Sequence, residues 1–400
     1  MKQLILSFLF IPLGLLLQAQ EISDTKFGNG MINFIAKDSS FSVKFAPRIQ
    51  SRYQSEWSYN GEDYDPADVN FSVRRARLKF GGFAFSPKLK YKIELGLSNR
   101  DISGANVYNR NTPRYILDAV VMWNFYENFE LWAGQTKLPG NIERVVSSAN
   151  LQLIDRSLLN SKFNIDRDMG IQLRHKLRLG GNWIIKEKFS ISQGEGRNIT
   201  EGNIGGLQYT SRLELLPFGE FSSKGDYFQG DLKREKSIKA MFGFTYDINE
   251  NAVKSRSNMG SYLIQSSGGL FETDITTIFL DGVIKYNGFA LTGEYANRDA
   301  DQIEALEEDG KTKTGAVVGA GSASNIQGSY LFKNNFEITA RYTNINFKKI
   351  TRLSDLKQIT FGVSKYIVGH SLKIQADISL LNASGIKDNV LFRTGFDLHF

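Results

Sequence analysis

Cysteine is absent from the 400-residue sequence, so the chain can form no disulfide bond and offers no thiol for a lipoprotein anchor. Proline is scarce, at seven residues, and no Pro-rich or Ser-rich linker divides the chain. Only three His are present, with no His-Glu pair at metal-binding spacing and no G-x-S-x-G nucleophile motif. These absences argue against an enzyme, and we expect no cofactor.

Long apolar runs are also missing, apart from one at the start of the chain. Residues 4–17 are apolar and follow the cationic Lys2, which predicts a signal peptide over residues 1–20, cleaved after residue 19 or 20. No later stretch reaches eighteen consecutive apolar residues, which excludes helical membrane spans. An exported chain of this kind is either soluble or a membrane β-barrel, in which only alternate residues face lipid.

Alternation of apolar and polar residues recurs along the whole chain. In the last twelve residues, NVLFRTGFDLHF, one face carries Phe392, Phe396 and Phe400, and the other carries Arg393 and Asp397. A period of two residues indicates β-strands. Sixteen such segments are predicted, at 41–57, 69–85, 88–98, 114–126, 128–137, 167–179, 182–192, 205–216, 236–247, 276–287, 289–297, 321–332, 335–344, 356–367, 370–381 and 389–400.

The connections between these segments alternate in length. Tight connections such as Glu127-Asn128 and Asn287-Gly288 alternate with long polar ones such as 138–166 and 248–275. The stretch 217–235 departs from this rule, because it is long where a short turn is due. Short turns at one end and long loops at the other are typical of outer-membrane barrels.

We therefore predict an all-β fold, a transmembrane up-and-down antiparallel β-barrel of about sixteen strands. The barrel covers residues 41–400 and follows a short periplasmic segment at 21–40. An even number of strands puts both barrel ends on the periplasmic side. The alternative is a soluble β-sandwich, which also alternates but buries its apolar face and rarely needs sixteen strands. The export signal and the asymmetric connections favour the barrel.

Cations interrupt the apolar positions of the strand FSVRRARLKF at 71–80. In a membrane barrel, Arg75, Arg77 and Lys79 share the parity that faces the water-filled lumen. Arg74 has the parity that faces lipid, unless its side chain snorkels or the strand is bulged. Other strands are predicted to add further cations to the lumen wall, namely Arg48, Arg52, Arg174 and Lys176.

A wall of this kind is suited to anions, because guanidinium groups offer forked donors that match phosphate or carboxylate oxygens. Packed like charges repel, so the wall is costly unless it serves an anion or is balanced by acids. For each single cation the alternative role is an ion pair across the lumen. Candidate acidic partners are Glu94, Asp118, Glu130 and Glu214.

The connection at 138–166 contains apolar residues at helix-like spacing, including Leu151, Ile154 and Leu158. An ordered apolar segment needs a surface to pack on. It either folds into the barrel, which would bring Arg144, Arg156 and Lys162 to a constriction, or packs outside against a neighbouring subunit.

The sequence resembles the phosphate-selective porins O and P of bacterial outer membranes. The resemblance is carried by VRRARLKFGGFAFSPKLKYKIELG, LDAVVMWNFYENFELWAGQTKLPGNIERVVSSANLQLIDRSLLN, RDMGIQL and REKSIKAMFGFTYD. It implies a sixteen-stranded, typically trimeric barrel with inward-folded loops and an arginine-lined path for anions. It further implies that Arg74, Arg75 and Arg77 belong to the arginine-rich strand, that 138–166 is the constricting third loop, and that Phe400 is an assembly signal.

The sequence is thus expected to encode an outer-membrane porin that prefers anions such as phosphate. Its expected partners are inorganic or organic anions as solute, outer-membrane lipid, lipopolysaccharide and two further copies of the chain, and not nucleic acid. The acidic stretch EALEEDG and the lack of a Lys-dense external cluster favour the alternative of a general or weakly selective porin. A loop-based binding protein is the other alternative.

Overall fold

A computed structural model describes residues 27–102, 104, 106–200, 202, 204–383 and 386–400 of the chain. The predicted signal peptide at 1–20 lies outside these residues. Within the described part of the chain, no helix is both long and apolar enough to cross a membrane.

Strands dominate the fold, and the helices are short. The strands are β1 (Ile32–Ile35), β2 (Ser42–Trp57), β3 (Asp68–Ala84), β4 (Ser86–Gly96), β5 (Ile116–Tyr126), β6 (Phe129–Lys137), β7 (Arg167–Arg178), β8 (Ile184–Ser192), β9 (Gln208–Leu216), β10 (Lys239–Ala252), β11 (Lys254–Arg256), β12 (Met259–Tyr262), β13 (Thr273–Tyr286), β14 (Phe289–Ala300), β15 (Glu304–Leu306), β16 (Lys313–Val317), β17 (Gly321–Leu331), β18 (Phe336–Phe347), β19 (Leu356–Val368), β20 (Leu372–Ala383) and β21 (Ile386–His399). The helices are α1 (Asn99–Ile102), α2 (Ile142–Val145) and α3 (Leu158–Phe163), with 3-10 turns at Ser148–Asn150, Ser222–Tyr227 and Lys349–Thr351.

Sixteen of these strands form one closed antiparallel barrel. Each barrel strand pairs with the next along the chain, and β2 pairs with β21 to close the ring. The short strand β1 pairs only with the first residues of β2. Two hairpins, β11–β12 and β15–β16, lie within long connections. The predicted fold class is confirmed.

All sixteen predicted segments correspond to barrel strands. The largest difference is at β10, which continues to Ala252 instead of ending at residue 247. Its pairing with β13 continues past a bulge between Asn249 and Ala252, where the alternation of the sequence is no longer informative. The hairpins β11–β12 and β15–β16 were not predicted, because they lie in segments without apolar alternation.

The alternation places polar residues inside and apolar residues outside. On β19, Ile359, Phe361 and Val363 are 42%, 59% and 51% exposed, while Thr360 between them is completely buried. A soluble sandwich would show the reverse burial. An apolar outer surface around a polar interior is the arrangement that a lipid-embedded barrel requires.

A bulge in β3 reorients Arg74. Gln50 of β2 pairs with Arg75 and the next residue, Ser51, pairs with Val73, so Arg74 is the extra residue of the bulge. An extra residue shifts the parity of the strand locally, and the Arg74 side chain turns to the lumen. The structure thus realises the bulged alternative that the sequence left open.

The two ends of the barrel differ. Phe27, the first residue that the structure describes, and the C-terminal Phe400 lie with most of the short turns at one end, here named the turn end, and their rings are 5.5 Å apart. The long connections, except 217–238, lie at the other end, named the loop end. In outer-membrane barrels the turn end faces the periplasm and the loop end faces the outside.

Two segments fold from opposite ends into the lumen and form the apolar core with the wall. The segment 138–166, named the inner loop, contributes Leu159 and Phe163, which pack against Phe279 and Ile345 of the wall. Further residues of the inner loop, together with Phe221 of the 217–238 connection, form a second cluster on the wall. These two clusters therefore lie inside the barrel, between the two segments and one side of the wall.

We predict that Phe163→Ala loosens the inner loop without unfolding the barrel. The ring is completely buried, and truncation of such a ring typically costs roughly 3–5 kcal/mol. The expected result is a larger and noisier single-channel conductance with unchanged heat-modifiable mobility on a gel. Phe361→Ala, on the lipid-facing surface, is the matched control. Equal conductance of the Phe163→Ala variant and the wild-type protein would contradict this packing role.

Candidate functional site

The inner loop leaves the wall after β6, crosses the lumen and returns at β7. Side chains of the barrel wall donate hydrogen bonds to its carbonyl groups. Arg212 Nη1 bonds Gly140 O at 2.9 Å, and Ser364 Oγ bonds Gln152 O at 2.7 Å. The inward fold implied by the family resemblance is confirmed, and the alternative of packing outside the barrel is wrong.

Residues 151–157 of the inner loop form bends and no helix, whereas the sequence predicted a helix through Leu151, Ile154 and Leu158, of which only Leu158 is helical. The reason is that wall side chains satisfy its backbone groups. Lys373 Nζ donates to Leu151 O at 2.6 Å, and the Ile154 amide donates to Asp377 Oδ2 at 3.1 Å. Only the short α2 and α3 are helical, and α3 begins after Ser157, whose side chain accepts from the Asn160 amide. Residues far away in the sequence, on β20, therefore determine the conformation of this part of the inner loop.

The connection 217–238 enters the lumen from the turn end and meets the inner loop. Lys285 Nζ of the wall donates to its carbonyl groups at Gly225, Phe228 and Gly230, at 2.7, 2.8 and 2.6 Å. The backbone N–H of Gln229 in this connection donates to the backbone carbonyl of Asn150 in the inner loop at 2.9 Å. The unusual length of this connection in the sequence therefore reflects a second segment that narrows the lumen.

A cavity of about 1200 Å³ opens between the inner loop and the connections of the loop end. Thirteen Arg or Lys and only four Asp or Glu line it. The cations are Arg74, Arg75, Arg77, Arg100, Arg114, Arg144, Arg156, Lys162, Arg167, Arg197, Lys254, Arg256 and Arg393. A concave surface with such an excess of one sign concentrates counterions at its mouth.

Four guanidinium groups converge on one carboxylate of the inner loop, Asp155. Its oxygens lie 2.8 Å from Arg52, 2.6 Å from Arg74 and 3.4 Å from both Arg75 and Arg393. Burial raises the pKa of Asp155, but the surrounding guanidinium groups outweigh it and hold that pKa well below its usual range. The carboxylate is therefore ionised. These four arginines are named the arginine cluster.

A second charged network runs along the wall beside the cluster. Arg77 lies 2.9 Å from Glu94 and 3.1 Å from Asp101, and Lys79 lies 3.9 Å from Glu94. Arg167 lies 3.1 Å from Asp118, which Lys92 also contacts. Here the predicted ion pairing with Glu94 and Asp118 is present, so these cations are partly neutralised.

Five of the ten predicted cations do not line the cavity: Arg52 and Lys79 pair with Asp155 and Glu94 beside it, and three others lie away from it. Arg48 is 2% exposed, pairs with Asp397 at 2.6 Å and bonds Ser148 of the inner loop, so it holds that loop in place. Arg174 stacks over the Trp132 ring at 3.6 Å, and Lys176 pairs with Glu220 near the turn end. The alternation of the sequence predicted that Arg48, Arg174 and Lys176 face the lumen, but not how far along the barrel axis they lie from the cavity.

The inner-loop cations Arg144 and Arg156 do reach the cavity. Arg144 Nε donates to Asp166 at 2.6 Å, and Arg156 donates to Glu143 O at 2.8 Å and to Val146 O at 2.7 Å. Sequence reasoning missed several other cations that line the cavity. These are Arg100, Arg114, Arg167, Arg197, Lys254, Arg256 and Arg393.

The sequence pattern offers little indication that these missed cations face the lumen. Most stand in or beside loop-end connections that do not alternate, and only Arg393 stands on the polar face of a clearly alternating strand. Among the residues that the structure describes, no group of three or more His, Cys, Asp or Glu side chains is placed to hold a metal ion.

Comparison with known proteins agrees with this architecture. The chain is 25% identical over 358 residues to a protein of Aquifex aeolicus (strain VF5) described as uncharacterized, covering 83% of this chain and 80% of that one.

Three solved structures share the fold. An anion-selective porin from Comamonas acidovorans is 13% identical and superposes with a TM-score of 0.55 over 90% of this chain and 100% of its own. The outer-membrane channel DcaP of Acinetobacter baumannii is 11% identical, with a TM-score of 0.55 over 92% and 99%. The trimer form of OmpT from Vibrio cholerae is 13% identical, with a TM-score of 0.51 over 90% and 100%.

The family model named phosphate-selective porin O and P matches residues 44–346, which is more than half of the chain. The match covers the arginine-rich strand β3, the inner loop and the 217–238 connection. Porins are outer-membrane channels rather than enzymes. The fold, the polar lumen with its inward loop and this match lead to one conclusion: the chain belongs to the phosphate-selective porin O and P family.

Proposed function

We propose that this porin is an anion-preferring diffusion channel whose solutes include phosphate and other oxyanions. The observation that carries the proposal is the excess of thirteen cationic over four acidic side chains around the cavity. Several of these cations lack a counterion. Arg114 and Lys162, for example, make no ion pair with any residue that the structure describes. An entering anion would find charges that the protein has not neutralised.

The guanidinium groups that line the cavity also support the proposal, because each offers several hydrogen-bond donors to the oxygens of an anion. The Comamonas structure, titled an anion-selective porin, shares the fold and is consistent with this reading.

The mechanism we propose is electrostatic enrichment followed by exchange of hydration water for protein donors. The cationic mouth raises the local anion concentration. Inside, the guanidinium groups of Arg74, Arg75 and Arg77 offer forked donors to oxygen atoms. Conduction requires several weak sites, since one strong site would hold the anion. Ion pairs such as Arg77 with Glu94 and Asp101 keep each site weak.

We further propose that residues 1–20 are a signal peptide and that the mature chain inserts in the outer membrane as a homotrimer in contact with lipid and lipopolysaccharide. The OmpT structure with a similar fold is titled a trimer form, which supports this assembly. Sedimentation of the detergent-solubilised protein tests it. A mass of three chains is expected, and a monomer at all concentrations would contradict it.

The proposed selectivity predicts the sign of the reversal potential in a planar bilayer. Across a KCl gradient the wild-type channel is expected to report chloride preference, and added phosphate is expected to reduce the chloride current. Cation preference would contradict the proposal. Equal permeability to both ions, without a phosphate effect, would favour the alternative of a general or weakly selective porin.

A double variant, Arg114→Gln with Lys162→Gln, tests the role of the cavity cations that lack ion pairs. Each of these charges acts over roughly 10 Å in partly screened water. Removing both charges is therefore expected to lower the chloride-to-potassium permeability ratio about twofold or more. Lys311→Gln, at an exposed hairpin tip outside the cavity, is the control for loss of charge. If the double variant has the same chloride-to-potassium permeability ratio as the wild-type channel, the cavity is not part of the path that anions take.

A further inference from the structure

A group of cations, named the outer patch, lies at the loop end in and beside the connection 348–355 between β18 and β19. Its four members are exposed cations, namely Lys348, Lys349, Arg352 and Lys357. None of the four lines the cavity, whereas Leu353 and Ser354 of the same connection do. The only acid in the stretch 348–357 is Asp355. The outer patch is therefore cationic and lies apart from the path that we propose for the anion.

Lys357 shows which way the patch faces, because it lies on the lipid-facing side of β19. It has the same parity as the exposed Ile359, Phe361 and Val363, and Lys365 ends this row. Two lysines thus bound the apolar row, Lys357 toward the loop end and Lys365 toward the turn end. At a tilt of about 40° the strand between them rises by roughly 20 Å, close to the apolar band of about 25 Å in such barrels. Lys357 therefore lies where the hydrocarbon of the outer leaflet ends.

Neighbouring strands place polar side chains at the same height as Lys357. Its partners across the sheet are Asn344 of β18 and Asn382 of β20, and Ser324 of β17 pairs with Asn344. These four residues are named the polar row. The next outward-facing row toward the turn end is apolar and exposed, and it consists of Ile326, Tyr342, Ile359 and Leu380. The outer surface thus changes from apolar to polar within one step, as is expected where hydrocarbon meets lipid headgroups.

Most charges of the outer patch are not neutralised by the protein. Lys348 Nζ pairs with Asp299 at 2.6 Å. Lys349, Arg352 and Lys357 form no ion pair with any residue that the structure describes. Unpaired like charges that lie close together repel each other, so an anion that binds among them stabilises the patch.

The position of the patch favours a lipid headgroup over a free anion. Lysine and arginine at a membrane surface attract anionic headgroups, and the guanidinium fork of Arg352 matches two phosphate oxygens. The amide and hydroxyl groups of the polar row can bond the hydroxyl groups of sugars. The apolar row below them offers contact to acyl chains, which a free phosphate ion lacks. A phosphorylated sugar headgroup that carries acyl chains would use all three surfaces.

We propose that the outer patch and the polar row bind the phosphorylated sugar headgroup of lipopolysaccharide in the outer leaflet. This inference rests on the proposed contact of the mature chain with lipopolysaccharide, and it assigns that contact to the β17–β20 side of the barrel. The cations bond the phosphate groups, the polar row bonds the sugars, and the apolar row contacts the acyl chains. The role of the patch is therefore separate from conduction.

A triple variant, Lys349→Gln with Arg352→Gln and Lys357→Gln, tests this site. Purified lipid A with two phosphate groups is titrated into the detergent-solubilised porin, and the bound fraction is measured by native mass spectrometry. The triple variant is expected to raise the dissociation constant about tenfold or more, because each cation near an anionic headgroup contributes to binding. Dephosphorylated lipid A is expected to bind the wild-type protein about as weakly as the triple variant binds lipid A with both phosphates.

The matched control removes three cations at the turn end, Lys236→Gln with Lys333→Gln and Lys365→Gln. Lys236 and Lys333 are exposed, and Lys365 lies on the same face of β19 as Lys357. The control variant loses the same charge as the triple variant but retains the outer patch. It is therefore expected to bind lipid A with the affinity of the wild-type protein.

Three results would overturn the inference. Wild-type affinity of the triple variant would show that the lipid binds elsewhere. Equal loss of affinity in the triple variant and in the control variant would show that net charge alone attracts the lipid. If the triple variant sediments as a monomer while the wild-type protein is a trimer, the outer patch is a contact between copies of the chain.

The reversal potential keeps this test separate from that of the proposed channel. Because the outer patch does not line the cavity, the triple variant is expected to retain the chloride preference and the phosphate block of the wild-type channel. A lower chloride preference would instead make the patch a collector of solute and would also overturn the inference. If the wild-type protein binds no lipid A, both the proposed contact with lipopolysaccharide and this site are rejected, whatever the selectivity of the channel. Heat-modifiable mobility on a gel establishes that each variant has folded.

Discussion

The structure depends on one kind of interaction, the bonding of charged wall side chains to the segment that crosses the lumen. The inner loop forms few regular backbone hydrogen bonds of its own. Its backbone N–H and C=O groups would therefore be costly to bury without other partners. Arg212, Arg298, Arg341 and Lys373 supply the missing donors from the surrounding strands. These cations would repel one another in an empty lumen. Here they bond the inner loop, which narrows the lumen.

This arrangement divides the lumen into two regions. On one side the inner loop and the 217–238 connection fill the space between them and the wall with an apolar core. On the other side the cavity keeps a large cationic excess. The cations of the two regions therefore differ in what they face: Arg48 and Arg298 bond protein acceptors, while Arg114 and Lys162 line the cavity.

The barrel was predictable from the sequence because its signal is local. A period of two, repeated sixteen times, needs no knowledge of distant residues, and the strand bounds followed within a few positions. The conformation of the inner loop was harder to predict, since Lys373 and Asp377 of β20 bond the backbone at Leu151 and Ile154, which are not helical. Side-chain parity also fixed the face of Arg174 and Lys176 but not their depth, which depends on barrel tilt and on the 217–238 connection. The cluster around Asp155 required a bulge and a loop contact, neither of which a one-dimensional pattern contains.

The central claim, that the cationic cavity holds oxyanions on their way through the barrel, can be tested directly by anomalous diffraction. Crystals of the porin soaked in selenate, a divalent tetrahedral oxyanion, would show where such an anion binds. Anomalous peaks are expected inside the cavity, within hydrogen-bonding distance of the guanidinium groups that line it. Peaks confined to the outside of the barrel, with none in the cavity at the highest selenate concentration that the crystals survive, would contradict it.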